Sequence, residues 1–530
     1  MSGCCRKPGG TDVEAMRRFI SIVAADLLER VRSLRFWLAI GAVAVAAWWC
    51  FPPVGAKYMI LGLNSQYRGQ YSSAWIGMVL AMTSIWLSLI GFYLVRGTLT
   101  RDIDTRVWQL LVATPLRRHT YLLAKWCSHM LVLTLIVSAG VAVGAAAQWL
   151  RAEDRHIDLI ELLKPVLLLQ LPGLALTAMF AVWFDLVPWL RRTAGSVVYF
   201  VLWLFILAGS AQNIRGADAA QAPLIGDPFG IAVFNQAVRA HAAPQIAGVL
   251  EPGFCLACGT TKKRAITFDW PSWQVEPQAL PGRLFWLLLA AAGVMLGAPF
   301  LDRAAARSTA ASEASGADPG RRMIWLGALL RPLQRSRLGT LLASEIALTL
   351  RQRKLWWWLA VLGAGAVQVA GSANAACIAV IVAWMLCLDM YAHAALREGA
   401  FGTAPVVFSA AHAGNNILWA RWTMLVLVGI ALTLPAIVRF GATAPAVAAA
   451  VVVAGVSLAA WGLALGAATL SPRPFELLVC ILAYMSIDGA PVLHAGVDPR
   501  FTVFLHLAAL PLAAMALLAM WPRLARAQAA

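Results

Sequence analysis

Apolar stretches of roughly 18 to 25 residues recur along this chain, each long enough to cross about 30 Å of hydrocarbon. They begin at about Phe36, Ser73, Trp126, Pro165, Val197 and Leu284, and again at about Leu355, Asn374, Thr423, Pro445, Phe475 and Thr502. The stretch at Phe475 is the shortest. The expected fold class is all-α: a polytopic membrane protein with 12 transmembrane helices. Composition agrees, with 61% hydrophobic and 13% charged residues, against about 25% charged in soluble proteins. A soluble enzyme is excluded.

The net charge of +18 has two readings, a nucleic-acid partner or a bias of Lys and Arg toward cytoplasmic loops. With the N-terminus placed inside, 30 of the 43 Lys and Arg residues fall in cytoplasmic segments. That bias accounts for the charge without nucleic acid, and it puts both termini in the cytoplasm. Met1 to Gly10 has no apolar core, so no cleaved signal peptide is expected. Of the nine cysteines, Cys50, Cys127, Cys377, Cys387 and Cys480 lie in apolar stretches and read as buried small side chains.

The chain also repeats itself. Arg101 to Trp126, RDIDTRVWQLLVATPLRRHTYLLAKW, aligns without a gap on Arg397 to Trp422 at an offset of 296. Arg101 meets Arg397, Asp102 meets Glu398, and Lys125 meets Arg421. Further upstream the offset is 319, and Asp26 meets Glu345, Arg32 meets Arg351 and Trp37 meets Trp356. Two six-helix modules are expected, residues 1–301 and 339–530, joined by a cytoplasmic linker over 302–338. Six spans per module give both copies one orientation, a parallel repeat. Residues 11–35 place Ile20, Val23, Leu27, Val31 and Leu34 on one face, the pattern of an interfacial helix or of an ordinary amphipathic one. Residues 212–281 are too polar and Pro-rich to span, and form an external loop.

Within Arg101–Trp126, Ile103, Val107, Leu110 and Leu111 share a helical face. Thr100 is the expected N-cap, with Asp102 and Asp104 in the first turn. Thr114-Pro115 fits the start of a second helix. The stretch is either a rigid elbow that contacts another protein or a solvated loop.

This stretch resembles the hallmark of type-2 ABC exporter permeases. In them a charged run, an apolar patch and an ATPLRR-like sequence precede the third span. The matching residues are Arg101, Asp102, Thr105, Leu110, Leu111, Ala113, Thr114, Pro115, Leu116, Arg117, Arg118 and Lys125. The resemblance implies a coupling helix that docks into a separate ABC ATPase, two such subunits per complex, in a bacterial inner membrane. Arg106 and Trp108 lie in the same coupling stretch. In the second copy Arg397, Glu398, His412, Asn415 and Arg421 take its place, but Gly399, Gly402 and Pro405 interrupt the helix there. Coupling is therefore expected to be asymmetric, stronger through the first module.

No GxxxxGK[ST] run is present, so ATP hydrolysis is expected in a partner and the chain is not expected to be an enzyme. No cofactor or metal is expected. Cys255 and Cys258 form a CxxC in the external loop, read as a local disulfide, as two free thiols, or as half of a metal site. Asp185, Asp389, His393 and Asp488 lie at span ends, where interfacial hydrogen bonds are the ordinary use. The alternative to an ABC permease is a 12-helix secondary transporter not coupled to ATP. Membrane lipids surround either.

Overall fold

The computed structural model describes residues 10–529 apart from 55, 57, 64–65, 106, 108–116, 152, 213–225, 243–244, 246–253, 260–265, 302, 304–323 and 410–412. The chain divides into two compact units, Met1–Ser312 and Glu313–Ala530, a boundary inside the expected linker.

The first unit opens with α1 (Gly10–Val31) and α2 (Leu34–Trp49). The expected amphipathic helix over 11–35 therefore stops at Val31. Ser33 starts α2, its hydroxyl accepting from the Phe36 amide at 3.4 Å, and the two helices meet at 72°. Strands β1 (Tyr58–Leu63) and β2 (Tyr67–Gly69) precede α3 (Ser73–Val95). The chain direction changes by 52° between Ser73–Thr83 and Ile85–Ile103, a stretch that runs past the end of α3. At the bend the Thr83 hydroxyl donates to the Val79 carbonyl at 2.8 Å, a back-bond that bends helices. Then come α4 (Thr98–Asp104) and α5 (Arg118–Arg151). Next, α6 (Leu159–Pro165) runs through a π-helical turn, Val166–Gln170, into α7 (Leu171–Leu186). The unit continues with α8 (Thr193–Gln212), α9 (Ile231–Ala242), β3 (Phe254–Gly259), β4 (Ile266–Phe268) and α10 (Ala279–Leu296).

The expected loop over 212–281 and the segment between α2 and α3 build a sheet. Its order is β3-β1-β2-β4, with β1 antiparallel to β2 and β3, and β2 parallel to β4. Phe51, Trp75, Trp270 and Trp273 are buried beneath it. Buried Arg68 donates to both Glu153 oxygens, at 2.7 and 2.5 Å. Sequence periodicity did not reveal these strands, because β2 and β4 have only three residues each.

In the second unit α11 (Ile324–Leu330) and a 3-10 turn, Arg331–Arg335, lead to α12 (Arg337–Arg351). There follow α13 (Leu355–Ala370), α14 (Ala373–His393), α15 (Arg397–Phe401) and α16 (Ala404–Val407). The chain ends with α17 (Ala413–Thr443), α18 (Pro445–Thr469), α19 (Arg473–Ile487) and α20 (Pro499–Ala529). Pro435 lies inside α17 and breaks its hydrogen-bond ladder. Gln368 of α13 repairs it: its amide donates to the Leu432 carbonyl at 3.1 Å and accepts from the Ala436 amide at 3.2 Å.

Every expected span is helical, yet the twelve are not equal. Among the described residues eight helices are long and apolar enough to cross a membrane, or up to ten if each bent pair is one span. The eight are α5, the α6–α7 run, α8, α10, α14, α17, α18 and α20. The other two expected spans, α13 and α19, have 16 and 15 residues. At 1.5 Å per residue they reach about 24 and 23 Å, short of a 30 Å core.

Candidate functional site: two buried cation clamps

The start of α4 is set from outside the helix. Gly97 precedes it with φ +91, a left-handed conformation that glycine adopts freely. The Asp185 carboxylate accepts from the Gly97 amide at 2.8 Å and the Leu99 amide at 3.2 Å, satisfying donors that a helix start leaves open. Thr100, the expected N-cap, lies within the helix instead, because Asp185 at the end of α7 already supplies the cap. Of the expected apolar face, Ile103 is buried and Val107 exposed. Arg106, Trp108, Leu110, Leu111, Thr114 and Pro115 lie outside the described residues, as does His412. Arg117 and Arg118 are exposed at the start of α5, and Asn415 at the start of α17.

Lys125 lies seven residues into α5, about two turns from its end. Its side chain is only 3% exposed, and its ammonium lies 2.9 Å from Asp26 Oδ1 on α1 and 2.6 Å from Asp102 Oδ2 on α4. The Tyr121 hydroxyl donates to the same Asp102 oxygen at 2.7 Å. Leu99, Ile103, Tyr121, Leu122, Val182 and Leu186 pack around the cluster. Arg101 is solvent-facing and forks onto Glu29 of α1, with Nη2 to Oε2 at 2.6 Å. The polar core thus fastens α4 to α1 and to the long helix α5. Arg30 adds a further tie, donating to the Val95 carbonyl at the end of α3 at 2.8 Å.

The second unit places the matched residues in the same relationship. Arg421 on α17 donates to Glu398 of α15, Nη1 to Oε2 at 2.7 Å and Nη2 to Oε1. Arg421 Nε also reaches Glu345 Oε1 on α12 at 3.2 Å. Arg397 completes the set, with Nη1 2.5 Å from Glu345 Oε2 and Nη2 donating to the Thr349 hydroxyl at 3.1 Å. Burial alone raises the Glu398 carboxyl, but the Arg421 hydrogen bonds and charge outweigh it and hold the group below the ordinary glutamate value. Helix α15 stops at Gly402, whose φ is +65, and Pro405 opens α16, as the sequence led one to expect.

The two clamps differ in chemistry. Arg421 and Arg397 together satisfy all four oxygens of Glu345 and Glu398. Asp26 Oδ2 in the first clamp has no partner among the described residues. A guanidinium fork is geometrically fixed, whereas an ammonium is a point charge on a flexible stem. The second clamp is therefore the more rigid one.

Sequence reading named Lys125, Asp102, Arg421, Glu398, Arg101 and Arg397 but missed Asp26, Glu345, Tyr121 and Glu29 as parts of the same site. The signal was present: acid met acid at Asp26/Glu345 and base met base at Lys125/Arg421. Other flagged residues have local roles. Asp389 pairs with Arg353 at 2.8 Å and His393 at 3.3 Å, and Asp488 ends α19. Cys255 and Cys258 lie on β3, paired with Gly62 and Met59 of β1.

Comparison with protein-family models, curated proteins and solved structures found no match to this chain.

Proposed function

We propose that this chain is the transmembrane permease subunit of an ATP-binding-cassette transporter, an exporter of a bacterial inner membrane. A pair of separate ATPase subunits drives it by docking on the segments before α5 and α17. In this reading the chain is a parallel repeat of two six-helix modules with both termini in the cytoplasm. The short helices α13 and α19 complete a count of twelve.

One observation carries the proposal. In each unit a short helix ahead of a long apolar one, α4 or α15, is tied by a buried cation between two acids to that long helix and to the preceding amphipathic helix. A short helix so fastened moves with its neighbours rather than independently of them, which is what transmission of force from a docked partner requires. The exposed Arg117 and Arg118 beside the first clamp supply the outward-facing charge.

Co-purification tests this reading. A stand-alone P-loop ATPase encoded beside this chain should be captured by it and lost when Arg117 and Arg118 are reversed to Glu. A 12-helix secondary transporter instead retains full activity without any ATPase and follows an ion gradient.

A further inference from the structure

The surface preceding α12 is unusual for its charge. From Gly320 to Ser344 the sequence holds five arginines and no acidic residue. Arg331, Arg335 and Arg337 lie in the 3-10 turn and at the start of α12, where every residue from 331 to 338 is exposed. Among the described residues these three form no ion pair. Interleaved with them are Leu329, 65% exposed, Leu333 and Leu338. The opposite side of the hairpin is closed, with Leu326 and Leu330 of α11 packed on Ala343 of α12. The element is thus held in shape by its own small core while presenting leucines and arginines together.

We infer that this arginine–leucine surface lies on anionic phospholipid of the bilayer that holds the second unit. Leucines at an interface enter the acyl boundary, and arginines beside them meet headgroup phosphates bidentately. The connection allows this placement. Only α12, of 15 residues, and a three-residue link separate the surface from α13, which opens with exposed Leu355 and Trp356. An acidic protein surface satisfies the arginines but leaves the leucines unaccounted for, and a zwitterionic bilayer does the reverse. Anionic lipid answers both. Each basic residue near such a surface strengthens binding roughly fivefold, so three contribute on the order of a hundredfold, screened by salt. The inference rests on the membrane character of the chain and not on its coupling to an ATPase.

Hydrogen exchange of the full chain in nanodiscs tests it. In discs containing phosphatidylglycerol, amides 329–338 should exchange at least fivefold more slowly than in phosphatidylcholine discs, and high salt should reduce the difference. R331Q/R335Q/R337Q should remove it, while exchange in Pro445–Thr469 stays unchanged as a control for folding. Equal exchange in the two wild-type discs overturns the inference, whether or not the triple variant folds. Protection that persists in a folded triple variant overturns it as well.

Discussion

Lys125 and Asp26 lie 99 positions apart in the chain, yet the Lys125 ammonium lies 2.9 Å from Asp26 Oδ1 in a site closed to solvent. At matched offsets of 296 and 319, Arg421 and Glu345 do the same at 3.2 Å. Removing one member of a buried pair leaves an uncompensated charge, which costs about 3–5 kcal/mol.

Replacing Arg421 with Ala strands Glu398 and leaves Glu345 to Arg397 alone. We predict a loss of roughly 3–5 kcal/mol in the second unit, read as earlier thermal labelling of the buried thiols Cys387 and Cys480. R421K should recover little, because an ammonium cannot reproduce the fork. The neutral triple change E345Q/E398Q/R421M should recover much of it. Unchanged labelling in R421A contradicts the clamp.

Gln368 is fully buried and bridges the ladder broken at Pro435. Q368L leaves the Ala436 amide and the Leu432 carbonyl unpaired, a cost of about 1–3 kcal/mol. Hydrogen exchange should accelerate around 432–440 in α17 and not in α18. Uniform acceleration of both helices points to global loss instead.

The four-stranded sheet depends on pH through Glu153. Burial pushes this carboxyl up, but the Arg68 guanidinium and the Tyr71 amide hold it below the ordinary 4.5. A carboxylate depressed in the folded state contributes stability above its unfolded value, and this is lost as pH falls through the folded one. Protection of Tyr67–Gly69 should therefore be full at pH 6 and decline only below 4.5. E153Q should lower it at pH 6 and flatten its pH dependence. A decline of wild type already at pH 6 contradicts this assignment.

How much of this was legible in the sequence differs by element. Long apolar helices such as α5 and α18 announce themselves, because their length against the bilayer is a property of the sequence alone. The clamps were half legible: the matched charges were visible, but only folding shows that α1, α4 and α5 bring Asp26, Asp102 and Lys125 to one point. The sheet was not legible, since β1 pairs with a strand nearly two hundred residues away and short strands carry little periodicity. The capping of α4 by Asp185 was hidden for the same reason. It depends on a contact across 88 positions.

Under the proposed function, the divergence of the two copies predicts an uneven response at the docking segments. Charge reversal of Arg117 and Arg118 should reduce stimulation of a partner ATPase more than tenfold, taking about 1.4 kcal/mol as tenfold. Substitution of Asn415 should reduce it by less. Equal losses contradict asymmetric coupling.

The most direct measurement is ATP hydrolysis by the complex in nanodiscs, comparing wild type with R117E/R118E and with the clamp variant D26N/D102N/K125M. The account predicts that the first variant loses capture of the ATPase. The clamp variant should keep capture but lose stimulation, because the docked segment no longer moves with α1 and α5. Full stimulation in a folded clamp variant would contradict force transmission through Lys125.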